Sequence, residues 1–171
     1  MAACIFVLLM AAEQIPCFGK TAPAVSCGYR QRAAVARQIA AEIPNTKTIL
    51  DIGSGYGAMV RTLAKSLPNA KIIGAEIMPT PWIYSATRHI FVKNARFVFG
   101  DAFKFLRKSN RNFDVGITYL LHSQMRELQE FLPRFKILIA VDFPLPDVKP
   151  YKKLKLHRDR FAQHWMYVYK S

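Results

Sequence analysis

Apolar residues recur along this chain with two periods that take turns. In YRQRAAVARQIAAE (Tyr29–Glu42), Val35, Ile39 and then Ile43 follow helical spacing, and Pro44 and Asn45 close the segment. TILDI (Thr48–Ile52) is a short apolar run ending in Gly-rich sequence, the pattern of a buried strand. Residues 58–67 place Val60, Leu63, Ala64 and Leu67 on one helical face, and KIIGA at 71–75 reads as a second strand. A helix over 81–92 opens on a proline, with Trp82 and Tyr84 expected to pack in the core; 96–99 is a third strand. A short helix at 103–107, a strand at 113–120, a helix at 124–132 stopped by Pro133 and a strand at 136–141 follow. The last two runs, 152–156 and 164–169, alternate residue by residue and predict an antiparallel hairpin at a sheet edge. Strand and helix in regular alternation predict an α/β fold, a doubly wound, mostly parallel sheet covered on both faces.

The beginning of the chain breaks this pattern. Residues 2–12 (AACIFVLLMAA) are apolar without interruption until Glu13. A membrane-spanning helix needs about 20 such residues, and a secretory signal would carry a positive residue ahead of the run. Three readings stay open: a first element packed on the domain, which is preferred, a surface-lying segment, or the stub of a longer anchor. Residues 16–26 carry Gly and Pro and read as irregular. The expected organisation is an apolar N-terminal segment and irregular lead-in over 1–27, then one domain over 28–171.

The chemistry follows the first strand. Asp51-Ile52-Gly53-Ser54-Gly55-Tyr56-Gly57 has the form D-x-G-x-G-x-G. Glycines there let the backbone turn sharply and approach a ligand, and the next helix aims its free N–H groups at the same place. The second strand ends at Glu76, positioned to accept hydrogen bonds from both hydroxyls of a ribose. The third ends in Gly100-Asp101, where the acid either binds an adenine amine or caps the helix starting at Ala102. A nicotinamide site would show G-x-G-x-x-G for its pyrophosphate. The G-x-G-x-G spacing with Asp51 ahead of it suits S-adenosylmethionine (SAM), which has no phosphate but carries cationic groups.

Composition sharpens the choice of partner. The chain is 51% apolar, which excludes wholesale disorder. Its 25 Lys+Arg against 11 Asp+Glu leave a net charge of +14. Such a surface attracts phosphate backbones, anionic membranes or acidic proteins, while an acidic arc of Asp51, Glu76 and Asp101 suits a cationic sulfonium. Cys4, Cys17 and Cys27 include no C-x-x-C pair, so they read as free thiols in a reducing compartment, and no metal site is expected.

With these motifs in order, the chain resembles the class I, seven-stranded SAM-dependent methyltransferases. Residues 51–57 match their first motif, Glu76 their ribose acid and Asp101 their adenine acid. GAEIMPTPWIYSATRHIF (74–91), RFVFGDAF (96–103), FDVGITYLL (113–121) and VDFPLPDVKP (141–150) are similar to the small lysine methyltransferases of the adenine nucleotide translocase and ATP synthase c-subunit, and to their bacterial relatives. The departures are Ser26-Cys27, Tyr56, His122 and Asp142. The resemblance implies a Rossmann-like seven-stranded sheet with a C-terminal antiparallel hairpin and SAM as cofactor. The cofactor contacts would be Asp51, Gly53, Ser54, Gly55, Gly57, Glu76, Ile77, Asp101, Ala102 and Tyr119.

Methyl transfer to a lysine requires a neutral amine, although the unperturbed pKa is about 10.4. An apolar mouth favours the neutral form, and positioning supplies most of the rate. Tyr119 and Asp142, at the carboxyl ends of the fourth and fifth strands, are the candidate catalytic residues: Tyr119 orients the amine or is a core aromatic, and Asp142 holds the ammonium or accepts its proton. About 120 residues follow Asp51, with no long insertion to fold over a small substrate, which favours a macromolecule. The preferred reading is a protein-lysine methyltransferase with a protein substrate, including membrane proteins. A methyltransferase acting on RNA or another acceptor, with nucleic acid as the less favoured partner, and a non-catalytic SAM-binding module are the alternatives. The basic tail at 149–160 is either a substrate contact or the solvated face of an edge hairpin. The apolar run and the charge together predict an intracellular protein, cytoplasmic or held peripherally at an anionic membrane surface, mitochondrial in a eukaryote.

Overall fold

The computed structural model describes residues 27–158 and 162–171. The apolar run at 2–12 and its lead-in lie outside these residues, as do Cys4 and Cys17. Helix α1 (Tyr29–Glu42) starts where the Gln31 side-chain oxygen accepts the Gly28 N–H at 2.5 Å, and it buries Val35, Ala36 and Ile39. It stops at Ile43, because Pro44 has no N–H with which to continue the ladder.

Five strands then run parallel: β1 (Thr48–Ile52), β2 (Lys71–Glu76), β3 (Ala95–Phe99), β4 (Phe113–Thr118) and β5 (Phe135–Val141). The helices between them are α2 (Ala58–Ser66), α3 (Pro79–Arg88), α4 (Ala102–Ser109) and α5 (His122–Gln129). No helix separates β5 from β6 (Lys152–Arg158), and β7 (Gln163–Lys170) inserts antiparallel between them. The strand order is β3-β2-β1-β4-β5-β7-β6, a Rossmann-like seven-stranded sheet with a C-terminal antiparallel hairpin.

Two apolar clusters sandwich the sheet. On one face Val35 and Ile39 of α1 and Val60 and Leu63 of α2 meet Ile49, Ile72, Val115 and Ile137. On the other, Leu106 of α4 and Met125 and Leu128 of α5 meet Leu50, Ile52 and Leu138. Alternate residues of the central strands serve opposite faces, so these strands are buried on both sides.

Three boundaries differ from expectation. Helix α3 begins at Pro79 and ends at Arg88, not at residue 92, because the His89 ring bonds back to the Ser85 carbonyl at 2.8 Å and Asn94 is tied to the carbonyls of Ala64, Leu67 and Ala70. Strand β4 ends at Thr118, which leaves Tyr119 in the following turn. The helix expected over 124–132 starts at His122 and ends at Gln129, and Pro133 sits inside a separate 3₁₀ turn, Leu132–Arg134.

The core reading of Tyr84 fails. Tyr84 is 39% exposed and stands edge-on to Tyr56, with ring centroids 5.4 Å apart. Trp82 is half-buried against Phe99 at 5.1 Å. The hairpin lysines follow the edge reading: Lys152, Lys153 and Lys155 lie exposed on β6, the last strand of the sheet.

Candidate functional site

In a parallel sheet the natural crevice lies where neighbouring strands send their chains to opposite faces. Here that point is between β1 and β4: β1 leads to α2 on one face and β4 to α5 on the other. The glycine loop occupies it. Gly53, Gly55 and Gly57 have φ of +76°, +52° and +74°, a region L side chains rarely adopt. A Cβ on Gly57 would lie 2.8 Å from the Phe97 ring, so this loop is fitted closely against β3 as well. Gly53 and Ser54 both donate to the Ala75 carbonyl at 3.0 Å. Gly57 caps α2 without any side-chain acceptor, so the first N–H groups of α2 face the loop.

Glu76 is 5% exposed, and its two oxygens accept the Gly55 N–H at 2.7 Å and the Met78 N–H at 2.8 Å. The carboxylate expected to hold a ribose therefore also ties the glycine loop to the end of β2. Asp51, equally buried, has Oδ2 without a hydrogen-bond partner. Burial, and then the nearby Glu76 carboxylate, push its pKa up to about 7. Ser54 Oγ, beneath the loop against Gly74, is also buried and unpartnered. A cationic group above Asp51 would relieve its desolvation.

Asp101 does cap a helix: its Oδ1 accepts the N–H groups of Phe103 and Lys104, at 2.8 and 3.3 Å. It also lines a cavity of about 160 Å³ together with Gly53, Ile77, Ala102 and Leu120. The two roles read as alternatives in the sequence are therefore compatible. The cavity's apolar side chains suit an adenine ring, and the acids that also line it, Asp101 and Glu127, suit its amine.

At the carboxyl end of β5, Asp142 adopts φ +65°, a left-handed conformation that Asp tolerates better than most residues. Hydrogen bonds hold it there. Its Oδ1 accepts the Trp165 N–H at 2.9 Å, its own N–H donates to the Trp165 carbonyl at 2.9 Å, and its Oδ2 meets His164 Nδ1 at 2.8 Å. Tyr119 is half-buried one residue past β4 and packs on the apolar cluster beneath α1 and α2. Cys27 is a buried free thiol; burial pushes its pKa up to about 12, Arg32 opposes the rise, and the charges of Asp142 and Asp51 add to it. This places the start of α1 close to both acids.

Three residues here were not expected. His164 pairs with Asp142 only because β7 inserts beside β5. Thr118 Oγ1, at the end of β4, and Gln124 Oε1, at the cavity wall, are buried and unpartnered. None of the three carries a signal in the sequence, where the fourth strand reads on to Leu120 and Thr118 lies inside it.

The glycine loop at the crevice, the buried acids at successive strand ends and the unpartnered Asp51 and Ser54 atoms fit SAM, and with this strand order they define the class of SAM-dependent methyltransferases. The methyltransferase domain family matches residues 49–140, and the chain belongs to that family. Its cofactor is S-adenosylmethionine. Among solved structures, an RNA methyltransferase from Salinibacter ruber in complex with S-adenosyl-L-homocysteine is similar, with 19% identity over 85% of this chain and 93% of that one and a TM-score of 0.67. An O-methyltransferase from Bacillus cereus, also in complex with that product, shows 11% identity over 97% and 90% at 0.71. TrmK from M. capricolum with the same product shows 14% over 84% and 68% at 0.63. At these identities the likeness shows the fold. No curated protein matches the chain.

Proposed function

We propose that this SAM-dependent methyltransferase transfers the methyl to a lysine side-chain amine of a protein. The observation that carries the proposal is the Asp142–His164 pair at the carboxyl end of β5, the strand next to β4, which leads into Tyr119. The donor, when bound, supplies an electrophilic methyl on sulfonium sulfur. The acceptor nitrogen must arrive without its proton, since only a lone pair can form the new N–C bond as the S–C bond breaks. Asp142, held by His164 Nδ1 at 2.8 Å, takes the proton of the incoming ammonium. Tyr119 directs the amine along the line of attack. The likeness of residues 74–91 and 141–150 to the small lysine methyltransferases supports the same acceptor. So does the direct passage from β5 to β6, which among the described residues adds no helix over the mouth.

Transfer of labelled methyl from SAM into a cell lysate tests this directly. Protease-sensitive counts that hydrolyse to methyl-lysine are expected; ribonuclease-sensitive counts would instead establish an RNA acceptor, the reading favoured by the net charge of +14. Asp142→Asn is expected to lower kcat by about 100-fold with SAM affinity unchanged, and the loss should shrink at high pH, where lysine sheds its own proton.

A further inference from the structure

Helix α3 is packed inside out. The side it buries is Thr80, Pro81, Ser85 and, just past its end, His89. The helix exposes Ile83 at 52%, and the turn that follows it exposes Ile90 at 71% and Phe91 at 92%. A solvated helix and turn do not call for large apolar side chains, and exposed apolar residues of this size mark an interaction surface. The charge around them is one-sided. Between Gly57 and Lys104 the only acids are Glu76 and Asp101, both at the cofactor end of the sheet, whereas Arg61, Lys65, Arg88, Lys93 and Arg96 are all exposed. Arg61, Lys65 and Arg88 also line a groove of about 610 Å³ between α2 and α3, with Tyr56 and Tyr84.

We infer that the outer face of α3 and the turn after it form a docking surface for an anionic lipid bilayer. Ile83, Ile90 and Phe91 enter the interfacial apolar layer, and the surrounding cations meet lipid phosphates. The charge decides among occupants. A second copy of the chain related by a two-fold axis would set Arg88 and Lys93 against their own equivalents, a like-charge cost. A single-stranded nucleic acid would use the cations and the tyrosines but gives no role to Ile83 and Ile90. An apolar tip ringed by basic residues is the arrangement that lies in a membrane interface, where each basic residue near the surface contributes about 1 kcal/mol. The inference is independent of which acceptor is methylated. It assigns the contact to α3, in addition to or in place of residues 2–12.

The test uses the full chain and sucrose-loaded vesicles of phosphatidylcholine with or without phosphatidylglycerol. Salt-sensitive sedimentation with the anionic vesicles alone is expected. Ile90→Ser/Phe91→Ser should reduce partitioning roughly tenfold or more, with an unchanged melting temperature, because both side chains are already in water. In Phe91→Trp, indole emission beyond the native background should shift to the blue and be quenched by brominated acyl chains. Wild-type binding by the double serine variant would overturn the inference. So would a fall of several degrees in its melting temperature, which would mean that another segment of the chain covers the face. Binding of single-stranded RNA that the serine variant leaves intact, with no vesicle binding, would reassign the cations to nucleic acid. A wild-type dimer that the serine variant dissociates would reassign the face to a second copy.

Discussion

The two helical layers of this molecule solve the same packing problem with opposite results. Helices α4 and α5 put Phe103, Leu106, Met125 and Leu128 into the core and pair two of their arginines, Arg107 on Glu127 at 2.6 Å and Arg126 on Asp147 at 3.2 Å, while Lys104 and Lys108 have no ion-pair partner among the described residues. In the other layer α1 and α2 also bury apolar residues, but α3 buries small and polar ones and exposes Ile83, the turn after it exposes Ile90 and Phe91, and Arg61, Lys65 and Lys93 have no ion-pair partner among the described residues. One layer is built for stability and the other carries a surface that stability does not explain. The cofactor loop lies between them and draws on both: Gly57 rests on Phe97 near α3, and Gly53 sits against Leu120 before α5.

The contrast is sharpest in a pair of truncations. Leu106→Ala removes a fully buried side chain from the α4 layer and should cost about 2–5 kcal/mol in denaturant unfolding. Phe91→Ala in the α3 layer, although it deletes a larger side chain, should stay within about 0.5 kcal/mol. Equal losses would show that the outward face of α3 is covered in the native protein.

Glu76→Ala tests the junction. It removes the carboxylate expected to accept the ribose hydroxyls and also the anchor of the Gly55 and Met78 N–H groups. SAM affinity by calorimetry should fall roughly tenfold or more, since a hydrogen bond to a charged group contributes about 1.5–3 kcal/mol. The melting temperature should fall too, because two buried N–H groups lose their acceptor. Lost affinity without lost stability would mean that the loop holds its shape unaided.

The raised pKa of Asp51 gives a smaller, pH-dependent effect. Folding favours its protonated form, so its stabilising contribution is complete below the ordinary carboxylate pKa of about 3.9 and disappears as pH rises to about 7. A cationic ligand favours the ionised form. SAM affinity should therefore increase with pH up to about 7, and binding at pH 6 should release a proton, seen as a dependence of binding heat on buffer ionisation enthalpy. Asp51→Asn should abolish that dependence; its persistence would move the linkage to Glu76, the carboxylate beside it. The smallest effect belongs to the paired layer: Arg107→Ala breaks an exposed ion pair and should change stability by about 0.5 kcal/mol, less at high salt.

Local pattern was enough to read the alternation of strands and helices, the place of the glycine loop, and the acids at the ends of β1, β2 and β3. Periodicity and turn chemistry act over a few residues, and a parallel α/β sheet follows from their order. The same pattern misjudged α3. Its apolar positions look core-facing along the chain, and only the packing of Gly57, Ser85 and Phe97 decides which side turns inward. Asp101 could be read as cap or ligand, because a carboxylate next to a helix start suits both; the cavity beside it shows that one side chain serves the helix and faces the pocket. The link between Asp142 and His164 was not legible, since 21 residues separate them and only β7 beside β5 brings them to 2.8 Å. What the sequence determined is what neighbouring residues enforce on one another: the elements, their order and the cofactor loop. Which helix face turns inward, which acid meets which base and where the cations go unpaired depend on contacts between distant segments, and the tertiary structure alone decided them.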